Sequence, residues 1–122
     1  MDQVISTLVR PEFGAVSVFQ GVTRDNFNGK NVIHLSYECY DKMAIAQMQK
    51  IAEEAVEKFE IGGVYIGHRL GVVPVTEVSI SIVCVSAHRK AALNATEWLI
   101  DTLKEKVPIW KKEFYSDQDC EA

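Results

Sequence analysis

Apolar residues recur at helical spacing between Asp41 and about Phe59, which predicts an amphipathic helix. Asp41 is a residue type that caps helix N-termini, and the Gly62-Gly63 pair is expected to end the helix. A shorter helix is predicted over residues 2–9. The core-facing positions of the long helix are expected to be Ala44, Met48, Ile51, Ala52, Ala55 and Phe59.

A second long helix is predicted to begin at Ser86 and to stop at Pro108, because proline is poorly tolerated inside a helix. Its apolar residues again follow the helical repeat, so one face is expected to be buried. The residues on that face are Ala92, Ala95, Leu99 and Leu103.

The remaining apolar stretches are short, alternating or rich in β-branched residues, which is typical of strands. Residues 25–29 are predicted to form a loop, and Gly71 and Pro74 a bend. The order β-β-α-β-β-α-β predicts a single α+β domain over residues 1–122. Its sheet is expected to be mostly antiparallel or mixed, with packed helices. A Rossmann domain is disfavoured, since GxGxxG and strict βαβ alternation are missing. The predicted strands are 14–22, 32–40, 64–70, 77–85 and 109–115.

Composition narrows the class of protein. The chain has 122 residues, of which 48% are hydrophobic and 25% charged, which fits one globular domain and excludes intrinsic disorder. The sequence lacks an apolar run of transmembrane length and a secretory signal, and its three cysteines show no metal spacing. A cytosolic protein with reduced thiols is expected.

The charge is unevenly distributed. The net charge is −4, which disfavours a general nucleic-acid binder. Residues 86–112 nevertheless carry six basic and three acidic residues, a net +3. This basic zone indicates a small anionic ligand, and a solvated helix face is the alternative explanation.

Several basic residues are candidates for chemistry. Lys104 lies in the last turn of the second helix, where lysine also complements the helix dipole. Lys111 lies in the last predicted strand, where partial burial would lower a lysine pKa, although edge strands also carry protective lysines. His88 and Arg89 lie at a strand-to-helix junction, which favours anion binding. Arg24 follows the first strand and is suited to clamping a phosphate or carboxylate, or to an ordinary surface ion pair.

Two further groups are interpreted as structural. His68 and Arg69 lie inside a strand, where such side chains more often satisfy hydrogen bonds than bind ligands. Cys84 is flanked by valines and is expected to be a core residue without an activated thiol.

Helix geometry limits how these residues combine. Arg89 and Lys104 are 15 residues apart on one predicted helix, which is about 22 Å along its axis. A small metabolite does not span that distance. Either one residue is not involved, or a second protomer brings its own helix start to this helix end. The second option favours a symmetric dimer with composite sites.

Five segments of the chain resemble one known family. Taken in order over residues 14–115, they resemble the large, catalytic subunit of molybdopterin synthase, the MoaE family. The last two segments together are specific, whereas each alone is weak. The segments are FQGVTR (19–24), YECY (37–40), HRLG (68–71), SAHR (86–89) and KEKVPIWKKE (104–113).

The resemblance implies an α/β-hammerhead fold and a homodimer of large subunits. It implies one small ubiquitin-like subunit on each large subunit, which makes a heterotetramer. The small subunit ends in Gly-Gly, activated as a thiocarboxylate. The implied reaction transfers its sulfur to cyclic pyranopterin monophosphate (precursor Z), forms the molybdopterin dithiolene, and belongs to molybdenum cofactor biosynthesis. It implies no metal site and no cofactor, because the small subunit brings the sulfur.

The resemblance also assigns roles by position. Lys104 and Lys111 match the catalytic lysines of the family. As a separate hypothesis from the chemistry, we assign Lys104 to the thiocarboxylate carbonyl and Lys111 to the pterin side. The matched substrate-binding positions are Val22, Thr23, Arg24, His88, Arg89, Lys112 and Glu113. Family members commonly continue past the position of Ala122 with a tail that contains tryptophan, a segment that this sequence does not include.

Two other functions fit the same residues. One is a lysine Schiff-base enzyme that acts on a phosphorylated carbonyl compound, with Lys104 and Arg24 at its centre. The other is a non-enzymatic dimeric module that binds an anionic metabolite or a ubiquitin-like tail. Borohydride trapping tests the first alternative, and survival of function after Lys104→Ala would favour the second.

Overall fold

The computed structural model describes residues 2–27, 30–39, 41–107 and 109–115, with side chains at 2–25 and 42–107. Three helices and seven strands lie along these residues, with two runs of three consecutive strands. The helices are α1 (Asp2–Leu8), α2 (Asp41–Phe59) and α3 (Arg89–Lys106). The strands are β1 (Ala15–Val22), β2 (Asn26–Phe27), β3 (Lys30–Cys39), β4 (Gly63–His68), β5 (Gly71–Pro74), β6 (Val78–Ser86) and β7 (Ile109–Tyr115).

The strands form two antiparallel groups. The first sheet has the order β1-β6-β4, with β6 in the centre. In the second sheet β3 pairs with β2, β5 and β7. All of these pairings are antiparallel, so the predicted α+β class with a mostly antiparallel sheet is confirmed.

The core lies between the first sheet and the two long helices. Ile51 of α2, Leu99 of α3 and Ile82 of β6 are fully or almost fully buried and belong to one apolar cluster. Burying side chains of this size contributes about 1.5–3 kcal/mol each. The predicted inner faces of both helices are confirmed at every position but one, because these residues belong to the cluster or pack against it. The exception is Ala52, which is only partly buried and lines the groove between α2 and β4.

Two short strands correct the predicted order of elements. Residues 71–74 were predicted as a bend, but they form β5, whose Val72 and Val73 pair with β3 and whose proline stands at the strand end. The predicted 25–29 loop contains β2, which pairs with the start of β3; residues 28 and 29 lie outside the described part. The observed order is therefore α-β-β-β-α-β-β-β-α-β.

Both long helices also end or begin differently from the prediction. The chain leaves α2 at Glu60, which adopts a left-handed conformation with φ 54°, so the glycines 62 and 63 are not the terminating residues. The Ile61 amide then donates to the Val56 carbonyl at 3.2 Å, an arrangement that satisfies a helix-end carbonyl. At α3, Ser86 is the last residue of β6, and the helix begins three residues later.

Candidate functional site

The junction between β6 and α3 presents His88 and Arg89 to solvent. His88 occupies the N-cap position with extended backbone angles (φ −128°, ψ 151°), and no side chain in the described part caps the helix. The buried Ser86 hydroxyl donates to the His88 carbonyl and so fixes the backbone of this junction. The first turn of α3 contains no acidic residue, so its free amides and the two basic side chains together favour an anion.

Gly14 lies against this junction and holds it to the start of β1. Its amide donates to the carbonyls of Ser86 (3.1 Å) and Ala87 (3.2 Å). A Cβ atom at Gly14 would lie 2.7 Å from the Ala87 carbonyl oxygen, closer than such atoms normally approach. Glycine is therefore required here for close backbone approach.

We expect Gly14→Ala to destabilise the protein by about 1–3 kcal/mol, because the new methyl group meets backbone that cannot rotate away. Gly63→Ala is the matched control, since a Cβ there meets only two side chains, both at 3.4 Å. Urea denaturation of both variants measures the difference. Equal stability of the two variants would contradict the required close approach at Gly14.

The opposite end of the first sheet presents Val22 and Arg24. The β1–β6 register shifts between Gly21 and Val22, so an irregularity precedes the last paired residue of β1, Val22, which pairs with Val78. Val22 is 50% exposed and Arg24 is exposed, whereas Thr23 between them is only 2% exposed. The Thr23 hydroxyl donates to the Val73 carbonyl at 3.4 Å. Thr23 therefore supports its neighbours from inside, although it matched a substrate-binding position.

Lys104 projects into solvent from the last turn of α3. The two residues before it, Thr102 and Leu103, are buried and anchor the helix end. The Val107 amide donates to the Leu103 carbonyl at 3.1 Å and closes the final turn. An ammonium at this position also complements the negative end of the helix dipole.

A pair of buried hydroxyls fixes α3 on the sheet. Thr96 of α3 donates to the Ser17 hydroxyl of β1 at 2.9 Å and also contacts the Ala92 carbonyl at 2.9 Å. Cys84 lies opposite Ser17 in the β1–β6 register and is fully buried. Burial raises the pKa of the Cys84 thiol, and a hydrogen bond with Thr96 partly opposes that effect. The prediction of a core cysteine is confirmed.

The first sheet and α3 separate the candidate residues into two groups. β6 leads into α3, which packs back over β6 and β1, so the end of α3 lies toward the end of β1. Lys104 is thus placed toward Val22 and Arg24, whereas His88 and Arg89 lie at the far end. Along α3 the separation of Arg89 and Lys104 is about 22 Å. Both residues lie on one continuous helix, as the sequence predicted.

Lys111, Lys112 and Glu113 belong to β7 of the second sheet. Lys111 is in register with Tyr37, and Lys112 is in register with Ser36. The side chains of β3 and β7 lie outside the described part, so their predicted roles stay predictions. The backbone register nevertheless connects β7 through β3 to β5, and Thr23 hydrogen-bonds to β5.

His68 and Arg69 were predicted to lie inside a strand and interpreted as structural, but β4 ends at His68, so Arg69 lies just after the strand. An Arg69 guanidinium nitrogen lies 2.5 Å from a Glu77 carboxylate oxygen, and His68 Nδ1 lies 2.8 Å from the Arg69 carbonyl oxygen. The Arg69–Glu77 pair is about half exposed on both sides, so it contributes little to stability. Partial burial lowers the pKa of His68 below its usual value near 6.5, and the hydrogen bond to the Arg69 carbonyl opposes that shift.

His68 therefore makes folding pH-dependent. Since the folded state disfavours the protonated ring, the unfolded state binds more protons below about pH 6.5, and stability falls as the pH decreases through this region. We expect His68→Gln to reduce the loss of stability between pH 7.5 and 5.5. Denaturation midpoints of both proteins at the two pH values test this, and parallel pH profiles would contradict it.

Other kinds of site receive little support from the described residues. Among them no three His, Cys, Asp or Glu side chains are grouped to hold a metal ion. None of the helices described is both long enough and apolar enough to cross a membrane. A shallow groove between α2 and β4, lined by Ala52, Glu53, Val56, Glu57 and Val64, contains none of the candidate residues.

Sequence reasoning missed the residues that support these candidates. The contact of Gly14 with the β6–α3 junction carries no local motif. Thr76 adopts a left-handed conformation with φ 74°, and a threonine gives no sequence signal for it. The only sequence signal near the residues that hydrogen-bond to Thr23 was the bend predicted at Gly71 and Pro74.

Comparison with known proteins identifies the family. Residues 1–106 match the family model described as MoaE protein. The chain is 49% identical over 117 residues to the human molybdopterin synthase catalytic subunit, covering 96% of this chain but only 62% of the human protein. It thus spans less than two thirds of that relative.

Solved structures agree with this match. The molybdopterin synthase structure from Staphylococcus aureus has a TM-score of 0.91 and 36% identity, covering 96% of this chain and 85% of that chain. A complex of subunits 1 and 2 of the molybdopterin-converting factor from Helicobacter pylori has a TM-score of 0.72 and 26% identity, with 96% and 78% covered. By sequence and by fold, the chain belongs to the MoaE protein family.

Proposed function

We propose that this chain is the catalytic subunit of a molybdopterin synthase. It transfers sulfur from the C-terminal thiocarboxylate of a small ubiquitin-like subunit to cyclic pyranopterin monophosphate in molybdenum cofactor biosynthesis. The observation that carries the proposal is the family membership together with 49% identity to a relative named for this activity. The exposed basic residues at both ends of α3 supply the charge that an anionic, phosphorylated substrate requires.

Each cationic side chain has a separate proposed role in substrate binding. The guanidinium groups of Arg24 and Arg89 are suited to a phosphate, because they donate two parallel hydrogen bonds. His88 adds a donor at the start of α3, where the helix amides and dipole also favour an anion. Lys112 and Glu113 complete the pocket from β7.

One lysine acts on the thiocarboxylate of the small subunit and the other acts on the pterin substrate. Each transfer forms a bond from sulfur to a side-chain carbon of the pterin, displaces an oxygen substituent from that carbon as water or as the phosphate oxygen, and breaks the bond from sulfur to the acyl carbon. Water supplies the oxygen that leaves the small subunit with an ordinary carboxylate. An oxyanion forms at the acyl carbon on the way, and the ammonium of Lys104 stabilises it. Lys111 moves the protons that opening of the cyclic phosphate requires.

The active site is assembled from two protomers. Lys104 and Arg24 come from one chain, and His88 and Arg89 come from its partner in a homodimer. The separation of about 22 Å along α3 supports this arrangement, since one small substrate does not contact both ends of the helix. A symmetric pair of chains gives two equivalent sites.

The partner that supplies sulfur is the small subunit, which inserts its Gly-Gly C-terminus into the site. The Helicobacter pylori complex of two converting-factor subunits supports such a partner. One small subunit on each chain of the homodimer gives a heterotetramer. The reaction takes place in the cytosol and needs no cofactor or metal, because sulfur arrives on a protein.

Reconstitution tests the proposal. The purified chain is mixed with a thiocarboxylated small subunit and precursor Z, and molybdopterin is detected after oxidation to its fluorescent derivative. Product formation that requires all three components is expected. A stable complex that yields no product would reduce the chain to a binding module, and borohydride trapping of a carbonyl substrate would indicate the Schiff-base alternative.

A further inference from the structure

Thr23 forms hydrogen bonds through its amide, its carbonyl and its hydroxyl to the end of β5 and to the connection between β5 and β6. That connection is here called the β5–β6 turn (residues 74–77). Its amide donates to the Glu77 carbonyl at 3.1 Å, and its carbonyl accepts from the Thr76 amide at 3.0 Å. Its hydroxyl donates to the carbonyl of Val73, the residue before Pro74, at 3.4 Å. Since Thr23 is only 2% exposed, its side chain does not reach a ligand in solvent.

The β5–β6 turn holds an unfavourable backbone conformation. Thr76 has φ 74°, which a β-branched residue rarely adopts, so surrounding contacts must maintain it. Two of these contacts are hydrogen bonds. The Thr76 amide donates to the Thr23 carbonyl, and the Glu77 amide donates to the Pro74 carbonyl at 3.1 Å. Glu77 also forms an ion pair with Arg69, the first residue after β4.

The β5–β6 turn and the adjoining strand β5 connect two parts of the proposed site, namely Arg24 after β1 and the residues of β7. Val73 is fully buried in β5 and lies in register with Leu35 of β3, which in turn lies in register with Glu113 of β7. Lys111 is two residues before Glu113 on that strand. Thr23 immediately precedes Arg24 on the other side. The hydrogen bond from Thr23 to Val73 therefore links Arg24 to the strand that carries Lys111 through two intervening strands, β5 and β3.

We propose that Thr23 and the β5–β6 turn form a positioning element that sets where Arg24 meets the substrate relative to β7. Thr23 acts through Arg24 and is not itself a catalytic residue. The inference rests on the proposed function and assigns to these residues the placement of the substrate anion. Displacement of a binding group by about 1 Å costs up to about a hundredfold in rate, so a single hydroxyl at this link matters.

The test is a double-mutant cycle read out in the reconstituted enzyme. Thr23→Val removes the hydroxyl while keeping the shape, and it is expected to raise KM for precursor Z by about tenfold with kcat little changed. Thr23→Ser keeps the hydroxyl, so its KM for precursor Z is expected to stay near the wild-type value. In an Arg24→Ala background, Thr23→Val is expected to add nothing further, because both changes remove the same interaction.

Two controls separate positioning from general loss of stability. Thr96→Val removes another buried threonine hydroxyl, one that contacts Ser17 and not the turn, and is expected to lower Tm while leaving KM unchanged. Thr76→Gly accepts the left-handed conformation and keeps the amide that donates to Thr23, so it is expected to raise KM much less than Thr76→Pro does. Thr76→Pro cannot adopt that conformation or donate its amide, and is expected to raise KM.

The outcomes are distinguishable. A wild-type chain that makes no molybdopterin overturns the proposed function and this inference with it. An active wild type in which Thr23→Val leaves KM unchanged overturns the inference alone. So does an effect of Thr23→Val that is equally large with and without Arg24.

Discussion

Lys104→Ala is expected to reduce molybdopterin formation by about 10²- to 10³-fold, even when the small subunit is supplied as preformed thiocarboxylate. This is the loss that follows removal of one donor to a developing oxyanion. Lys104 is exposed on a helix end whose neighbours Thr102 and Leu103 are buried, so truncating its side chain leaves the fold intact. The measurement is the initial rate of molybdopterin formation at saturating precursor Z.

Lys106→Ala is the matched control for that variant. Lys106 is a second exposed lysine in the last turn of α3, and two residues along a helix turn its side chain to the opposite face. Its loss changes the charge of the helix end by the same amount, so near wild-type activity is expected. An equal loss in both variants would assign the effect to overall charge. Full activity of Lys104→Ala would remove the lysine from the mechanism.

Complementation between two inactive variants is expected to restore activity. Arg89→Ala and Lys104→Ala each disable every site of a homodimer when present alone. In a dimer with one variant of each kind, one site combines the intact Lys104 of one chain with the intact Arg89 of the other. That dimer is expected to work at about half of the wild-type rate, because one of its two sites is complete.

The experiment uses two affinity tags on the co-expressed variants, so that only mixed dimers are recovered. A mixed dimer of two Lys104→Ala chains carrying the two tags is the control and should stay inactive. If the Arg89 and Lys104 variants are each inactive alone and fail to complement in a stable dimer, both residues serve the same site from one chain. The composite site would then be wrong.

The regular elements were predictable where one physical signal dominated. The apolar faces of α2 and α3 follow the helical repeat closely, and Ile51 and Leu99 are buried as expected. The ends of elements were less predictable, because Glu60 and Thr76 adopt left-handed conformations that their residue types do not favour. Tertiary hydrogen bonds and packing fix those backbones, and such contacts leave no pattern in neighbouring residues.

The candidate site was likewise predictable only in part. Its charged residues could be selected from the sequence because anion binding requires particular side chains, and helix length alone separated Arg89 from Lys104. The supporting residues could not be selected. The role of Gly14 depends on residue 87, and that of Thr23 depends on residues 73–77, so both appear only when distant segments are brought together.

The length of α3 between its two basic ends has a consequence for the order of events in the proposed reaction. In a composite dimer, each α3 reaches from one site to the other, so the sites stand about one helix length apart, roughly 22 Å between Arg89 and Lys104. A pterin held at one site is beyond the reach of the thiocarboxylate at the other. Under the proposed function, both sulfur atoms of one product are then expected to arrive at the same site in succession, with a spent small subunit leaving before a fresh one enters.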